Sequence, residues 1–303
     1  MDIFQMPEMV LFWSFWTCVL STVLPSLAAA WTPSLRPRYS AFLQVQESNN
    51  SQSRNVFDGI VDYPFVAVIT EPDACDSRTR MNETFKAIQT AISTRQVALV
   101  SIRTGNKPNN IDVPSEELEE RVVELTRQVI ALTCDAPFIV VVSSDWVSAA
   151  IRARAHGIHV KESHREKIPE IRRLFPYEPV IGTSSHSIDS AVDAWAKVQP
   201  DYFFAGTCYT TKSHPEKGES DVEGPELPGK IKMALLGEGC TSPVLAIGGI
   251  DEGNCDVPVR LGADGIATIR AVLLSIDPDK AITNIQRRMK FQASIIPNTS
   301  ELL

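Results

Sequence analysis

Short apolar runs alternate with amphipathic segments along most of this chain. From Tyr63 onward the runs are Phe65–Ile69, Val97–Ile102, Phe138–Val142, Gly157–Val160, Pro179–Gly182, Tyr202–Ala205, Val244–Ile247 and Gly265–Ile269. Near-continuous apolar runs of this length suit strands buried on both faces of a parallel sheet. Helical patterns fall between them near Asn82–Thr94, Ser115–Cys134, Trp146–Ala155, Arg165–Phe175, Ile188–Val198, Leu227–Leu236, Gly253–Leu261 and Pro278–Lys290. In the second of these, Leu118, Val122, Leu125, Val129 and Leu132 recur at three and four residues, while Glu116, Glu119, Glu120 and Arg127 face outward. Eight strand–helix units between Tyr63 and Lys290 predict a single closed (β/α)8 TIM barrel, whose usual span is ~250 residues. The other solution for such alternation is an open doubly wound sheet. It is disfavoured because no GxGxxG turn follows the first strand.

The amino-terminal part reads differently. No charge occurs from Met9 to Ala30, and Leu11–Leu24 is strongly apolar before Pro25 and the run Ala28, Ala29, Ala30. This predicts a signal peptide over residues 1–30. Asp2 and Glu8 stand where basic residues are usual, and the uncharged run approaches the ~20 residues that cross a bilayer. An uncleaved anchor is therefore the alternative, and the only route to a membrane. Residues 31–58 form a transit-peptide-like segment and linker: Trp31, Arg36 and Arg38 precede the first acid, Glu47, and Gln44–Arg54 is polar and aperiodic. A signal peptide followed by such a segment resembles the bipartite leaders of algae with complex plastids. The expected destination is a plastid by way of the secretory pathway; secretion or an endomembrane location is the alternative. The barrel is assigned to residues 59–292 and a tail to 293–303.

Composition narrows the partners. With 44% hydrophobic and 22% charged residues the chain is globular. A net charge of −8 and no basic stripe exclude a nucleic-acid surface, so any anionic ligand must be held by local groups. A homo-oligomer is compatible with these numbers. The six cysteines show no CxxC pair, which argues for reduced thiols over a disulfide framework or zinc site. Cys208 is read either as a reactive thiol or as a small buried filler.

Barrel chemistry sits where strands end, and these positions are polar. His159, His164, His186 and His214 are four of the five histidines and lie within or after strands four to six. Imidazoles near a pKa of ~6.5 both give and take protons near neutrality. Gly248 and Gly249 follow strand seven, where they form either a phosphate cradle or a plain tight turn. Arg270 follows strand eight, as an anion fork or a solvated side chain. Asp145 either ligates Mg²⁺ or caps the next helix, and Arg103 is either a second anion contact or a rim salt-bridge partner.

Five segments in register resemble the thiamine phosphate synthase/TenI family: Gly157–Val160, Ile181–Ser187, the loop Gly206–Gly218, Val244–Ile250 and Leu261–Ile269. The resemblance implies a barrel that binds thiazole phosphate. The synthase branch joins a pyrimidine diphosphate to it with Mg²⁺, and the TenI branch shifts its protons without a metal. Carried over by position, Asp145 falls on the synthase's first metal carboxylate, Ser184 on its serine, and Thr211 and Ser213 on its hydroxyl pair. Departures are His164 for the second metal carboxylate, His214 for a lysine unless Lys212 substitutes, Gly105 for another lysine, and Arg270 for a serine. His186 falls on the histidine that moves protons in the TenI branch. The expectation is therefore a TenI-like tautomerase without cofactor. His186 is its acid/base. Gly248, Gly249 and Arg270 hold the phosphate, and Arg103, Ser184, Thr211, Lys212, Ser213 and His214 bind the rest of the substrate. The alternatives are a divergent synthase with Mg²⁺ at Asp145 and a non-catalytic thiazole phosphate-binding protein.

Overall fold

The computed structural model describes residues 55–105, 115–212 and 218–293. The expected leader, the tail from residue 294, and Ser213 and His214 lie outside the described residues. Eight parallel strands close into a barrel in sequence order, with β1 (Phe65–Ile69) pairing both β2 (Leu99–Ile102) and β8 (Gly265–Thr268). Between them run β3 (Ile139–Ser143), β4 (Gly157–Val160), β5 (Val180–Ser185), β6 (Tyr202–Ala205) and β7 (Val244–Ile247). The crossovers are α1 (Arg78–Ser93), α2 (Ser115–Ala131), α3 (Val147–Ala153), α4 (Ile168–Leu174), α5 (Ile188–Val198), α6 (Leu227–Gly237) and α7 (Asp256–Arg260). Beyond β8 lie a short α8 (Arg270–Leu273) and α9 (Pro278–Ala293). The closed barrel settles the choice against an open sheet.

Helix starts follow local chemistry. Ser77 and Ser187, both extended, accept the N–H of Arg80 and Ser190 and so fix the starts of α1 and α5. The fifth strand overruns its apolar signal by three residues, through Thr183, Ser184 and Ser185. Those hydroxyls are satisfied inside the protein: Thr183 Oγ1 donates to Val160 O at 3.0 Å, and Ser185 Oγ accepts from Arg165 at 2.6 Å. Arg165 also donates to the carbonyl and hydroxyl of Ser190, both at 2.7 Å. It is thereby held in the short 3₁₀ turn Glu162–Lys167, and α4 begins at Ile168 instead of Arg165.

Alternation along each strand divides the core. Val66, Val68, Val100, Ile102, Val140, Val142, Ile158 and Val160 point outward into the layer shared with the helices, where Val122, Leu125 and Val129 of α2 meet them. Burying Leu125 alone contributes about 1.5–3 kcal/mol. The interior is aromatic. Phe57, just upstream of β1, meets Phe65 at 4.9 Å and Tyr202 at 6.0 Å between ring centroids. Tyr202 lies 5.2 Å from Phe204, which stacks on His159 at 4.5 Å. This column fills the barrel up to the level where the strands end.

Candidate active site

Above the aromatic column opens a cavity of about 1000 Å³. Inward-facing residues near the strand ends line it: Ile69, Ser101, Ser143, His159, Ser184, Phe204, Ile247 and Ala267. Cationic side chains that follow the even-numbered strands join them: Arg103 after β2, Lys161 after β4, Lys212 beyond β6 and Arg270 after β8. Of the expected site residues, Arg103, Ser184, His186, Thr211, Lys212, Gly248, Gly249 and Arg270 all border this cavity.

His186 lies between two carboxylates. Its Nε2 is 3.6 Å from Glu162 Oε2 and its Nδ1 is 3.6 Å from Glu223 Oε1. Glu223 is fixed in turn: its Oε2 accepts the Thr207 N–H at 2.5 Å, and its own N–H donates to Thr207 O at 2.9 Å. Glu162 accepts from Ser190 Oγ and pairs with Arg165 at 3.7 Å. An imidazole aligned by carboxylates on both sides is suited to moving a proton.

His159 borders the cavity from the barrel interior, where both ring nitrogens have partners. Nδ1 meets Tyr202 Oη and Nε2 meets Ser184 Oγ, both at 3.0 Å. Burial, with the Arg103 charge adding, pushes its pKa down to about 3, so the ring is neutral at physiological pH. His164 is not among the residues lining the cavity. Cys208 is buried, and desolvation raises its thiol pKa to about 12, which decides for the filler reading. The five cysteines of the described residues are free thiols.

Gly248 and Gly249 have φ of 101° and 65°, and a Cβ on Gly249 would fall 2.5 Å from Thr210 O. Close packing against the loop after β6 thus demands glycine here, and the same bareness brings backbone to the cavity wall. Arg270 pairs through Nε with Glu71 Oε1 at 2.8 Å and is 31% exposed, so it is anchored at the rim and not a solvated surface residue. Arg103 forms no ion pair among the described residues. Burial first, and the Arg270 charge second, lower its pKa, with Asp145 acting in the opposite sense. Beside it the Thr104 hydroxyl is buried without a hydrogen-bond partner among the described residues. A guanidinium without an ion pair and a hydroxyl without a hydrogen-bond partner, both among the described residues, leave donors at this wall that suit an anion.

Asp145 caps no helix; it accepts from Ser143 Oγ at 3.1 Å and pairs with Lys161 Nζ at 2.7 Å. No cluster of three or more His, Cys, Asp or Glu side chains fit to hold a metal occurs among the described residues. The donor set around Asp145, one carboxylate already neutralised by an ammonium, does not fit Mg²⁺, which wants several oxygen ligands. Lys161, Glu71, Glu162 and Glu223 escaped the reading of the sequence. Lys161 and Glu162 directly follow β4, so the rule that selected Arg103 and Arg270 applied to them as well.

Comparisons with known proteins agree with the fold. Residues 66–272 match the TMP-TENI family model, described as thiamine monophosphate synthase. The thiamine-phosphate synthase of Geobacillus thermodenitrificans is 32% identical over 166 residues, covering 55% of this chain and 69% of that protein. That of Shouchella clausii is 30% identical over 161 residues, covering 52% and 71%. Among solved structures, thiamine phosphate pyrophosphorylase from Pyrococcus furiosus aligns with a TM-score of 0.57 at 24% identity, over 75% of this chain and 96% of that one, a likeness of fold. A barrel with its cationic cavity at the strand ends, and a family match running from β1 into α8, place the chain in the thiamine monophosphate synthase/TenI family.

Proposed function

We propose that this protein is a thiamine phosphate synthase, a transferase that joins a pyrimidine diphosphate to thiazole phosphate. The observation that carries this reading is the cavity. At about 1000 Å³ it is at the top of the ~300–1,000 Å³ range of small-molecule sites. That is room for two ring systems, and four cations on its wall suit two phosphorylated substrates. The names of the relatives support the same choice over the tautomerase expected from His186. Arg103 and Lys161 hold the diphosphate, Gly248, Gly249 and Arg270 the thiazole phosphate, and Ser184, set by His159, orients a ring. In the reaction the thiazole nitrogen lone pair forms the new N–C bond while the C–O bond to diphosphate breaks with its electrons on oxygen. The site's task is to stabilise that departing charge.

A second reading, tautomerisation of the thiazole phosphate, is favoured by His186 between Glu162 and Glu223. One assay pair on the purified protein separates the two. The proposal expects thiamine phosphate and pyrophosphate from the two substrates, and no product of condensation would overturn it. Isomerisation in its place, lost about 10²–10⁴-fold in His186→Ala, would establish the second reading. For residues 1–54 we propose delivery to a plastid through the secretory pathway; a fluorescent fusion of that segment that leaves the cell or stays in the endoplasmic reticulum would refute it.

A further inference from the structure

Asp145, the carboxylate that the family resemblance assigns to a metal ion, is already neutralised by a cation of the chain itself. Lys161 Nζ stands 2.7 Å from Asp145 Oδ2, and the Asp145 side chain is only 12% exposed. The position implied for the second metal carboxylate is His164, which does not line the cavity. Two carboxylates and a divalent cation sum to zero charge, and so do one carboxylate and one ammonium. A divalent ion at Asp145 would meet the Lys161 charge at contact distance, and no cluster of three or more His, Cys, Asp or Glu side chains fit to hold it occurs among the described residues.

The anion side of the site is also built without a metal. Arg103 presents a partly buried guanidinium with no ion-pair partner among the described residues, and the Thr104 hydroxyl beside it has no hydrogen-bond partner there. Both border the cavity, as does Lys161, whose side chain is 44% exposed and still free to donate its other N–H groups. We infer that Lys161 takes the metal's place, so that this enzyme binds and releases diphosphate without a divalent cation. The inference rests on the condensation reading. When the C–O bond breaks, the electron pair goes to the diphosphate oxygen and the N–C bond takes its electrons from the thiazole nitrogen. No proton has to move, and Lys161 acts throughout as an ammonium hydrogen-bond donor.

Calorimetric titration of inorganic pyrophosphate into the full protein tests this, in EDTA and in MgCl₂. The wild type should bind in both, with Kd differing by no more than about twofold, and Lys161→Met should weaken binding about tenfold or more in EDTA, whereas Lys161→Arg should lose far less. Wild-type binding that requires Mg²⁺, or a Lys161→Met protein that binds as tightly as wild type, would overturn the inference. The same preparations are then assayed for condensation. Metal-free pyrophosphate binding with no condensation product sinks the synthase reading and leaves the site assignment to Lys161 standing. Condensation that stops in EDTA sinks the inference and leaves the synthase reading standing.

Discussion

Gly182→Ala is expected to destabilise the protein by about 3 kcal/mol or more, the upper end of what overpacking costs. For a barrel of this size that is a fall in Tm of roughly 6–12 °C. Gly182 and Tyr202 are Cα partners across the β5–β6 ladder, and the tyrosine ring lies over the glycine. A Cβ at position 182 would fall 1.9 Å from Tyr202 Cζ. The ring cannot retreat: it is fully buried against Phe57 and Phe204, and its hydroxyl is held by His159 Nδ1 at 3.0 Å. Moving it would also disturb the other end of that imidazole, which meets Ser184 Oγ at 3.0 Å. Activity should therefore fall along with stability. Adding Tyr202→Val opens the space, so the double variant should recover part of the lost stability, a coupling that two independent sites would not show. Urea or thermal unfolding of the three variants measures it, and a Gly182→Ala protein within about 1 kcal/mol of wild type would contradict the interior packing described for the barrel.

That glycine illustrates what the sequence made legible and what it hid. The strand pattern was readable because a parallel barrel buries both faces of each strand, leaving apolar runs that end sharply. The runs at Phe65–Ile69, Gly157–Val160, Tyr202–Ala205 and Val244–Ile247 coincide with the observed strands. Where hydroxyls continue a strand, as at Thr183 and Ser185, the apolar signal stops early, because what satisfies them is Arg165 from another segment. Strand-end positions were legible from the order of the chain alone, and Arg103, His186, Gly248, Gly249 and Arg270 all border one cavity. Their partners were not, since pairing depends on which loops meet across the rim: Glu71 reaches Arg270, Glu223 reaches His186 and Lys161 reaches Asp145. His159 also borders the cavity, but the contacts of its ring were hidden for a related reason. Counting along β4 places it near the rim, but alternation turns it inward onto Phe204 and Tyr202, and burial keeps its ring neutral.

The Arg103 guanidinium gives a test in which activity and stability move in opposite directions. Arg103→Met should lower kcat/KM for condensation by about 10²–10³-fold, the usual cost of removing one partner of a buried, hydrogen-bonded charge pair. The same change should leave Tm unaltered or raise it by a few degrees. In the free protein burial and then the like charge of Arg270 lower the Arg103 pKa, the Asp145 charge offsets them only in part, and no ion pair of Arg103 occurs among the described residues. Methionine fills similar space with no charge to desolvate, so it removes an unfavourable term from the folded state. Pyrophosphate supplies the missing partner. At about 100 times its Kd it should stabilise the wild type by ~2.7 kcal/mol through mass action and stabilise the variant far less. Thermal melts with and without pyrophosphate, beside steady-state kinetics, read all three quantities. A variant that loses stability yet keeps its activity and its response to pyrophosphate would make Arg103 a structural brace and not the anion contact. The opposed result would show that the cavity wall stores, in the desolvated Arg103 cation, part of the free energy that the departing diphosphate later draws on.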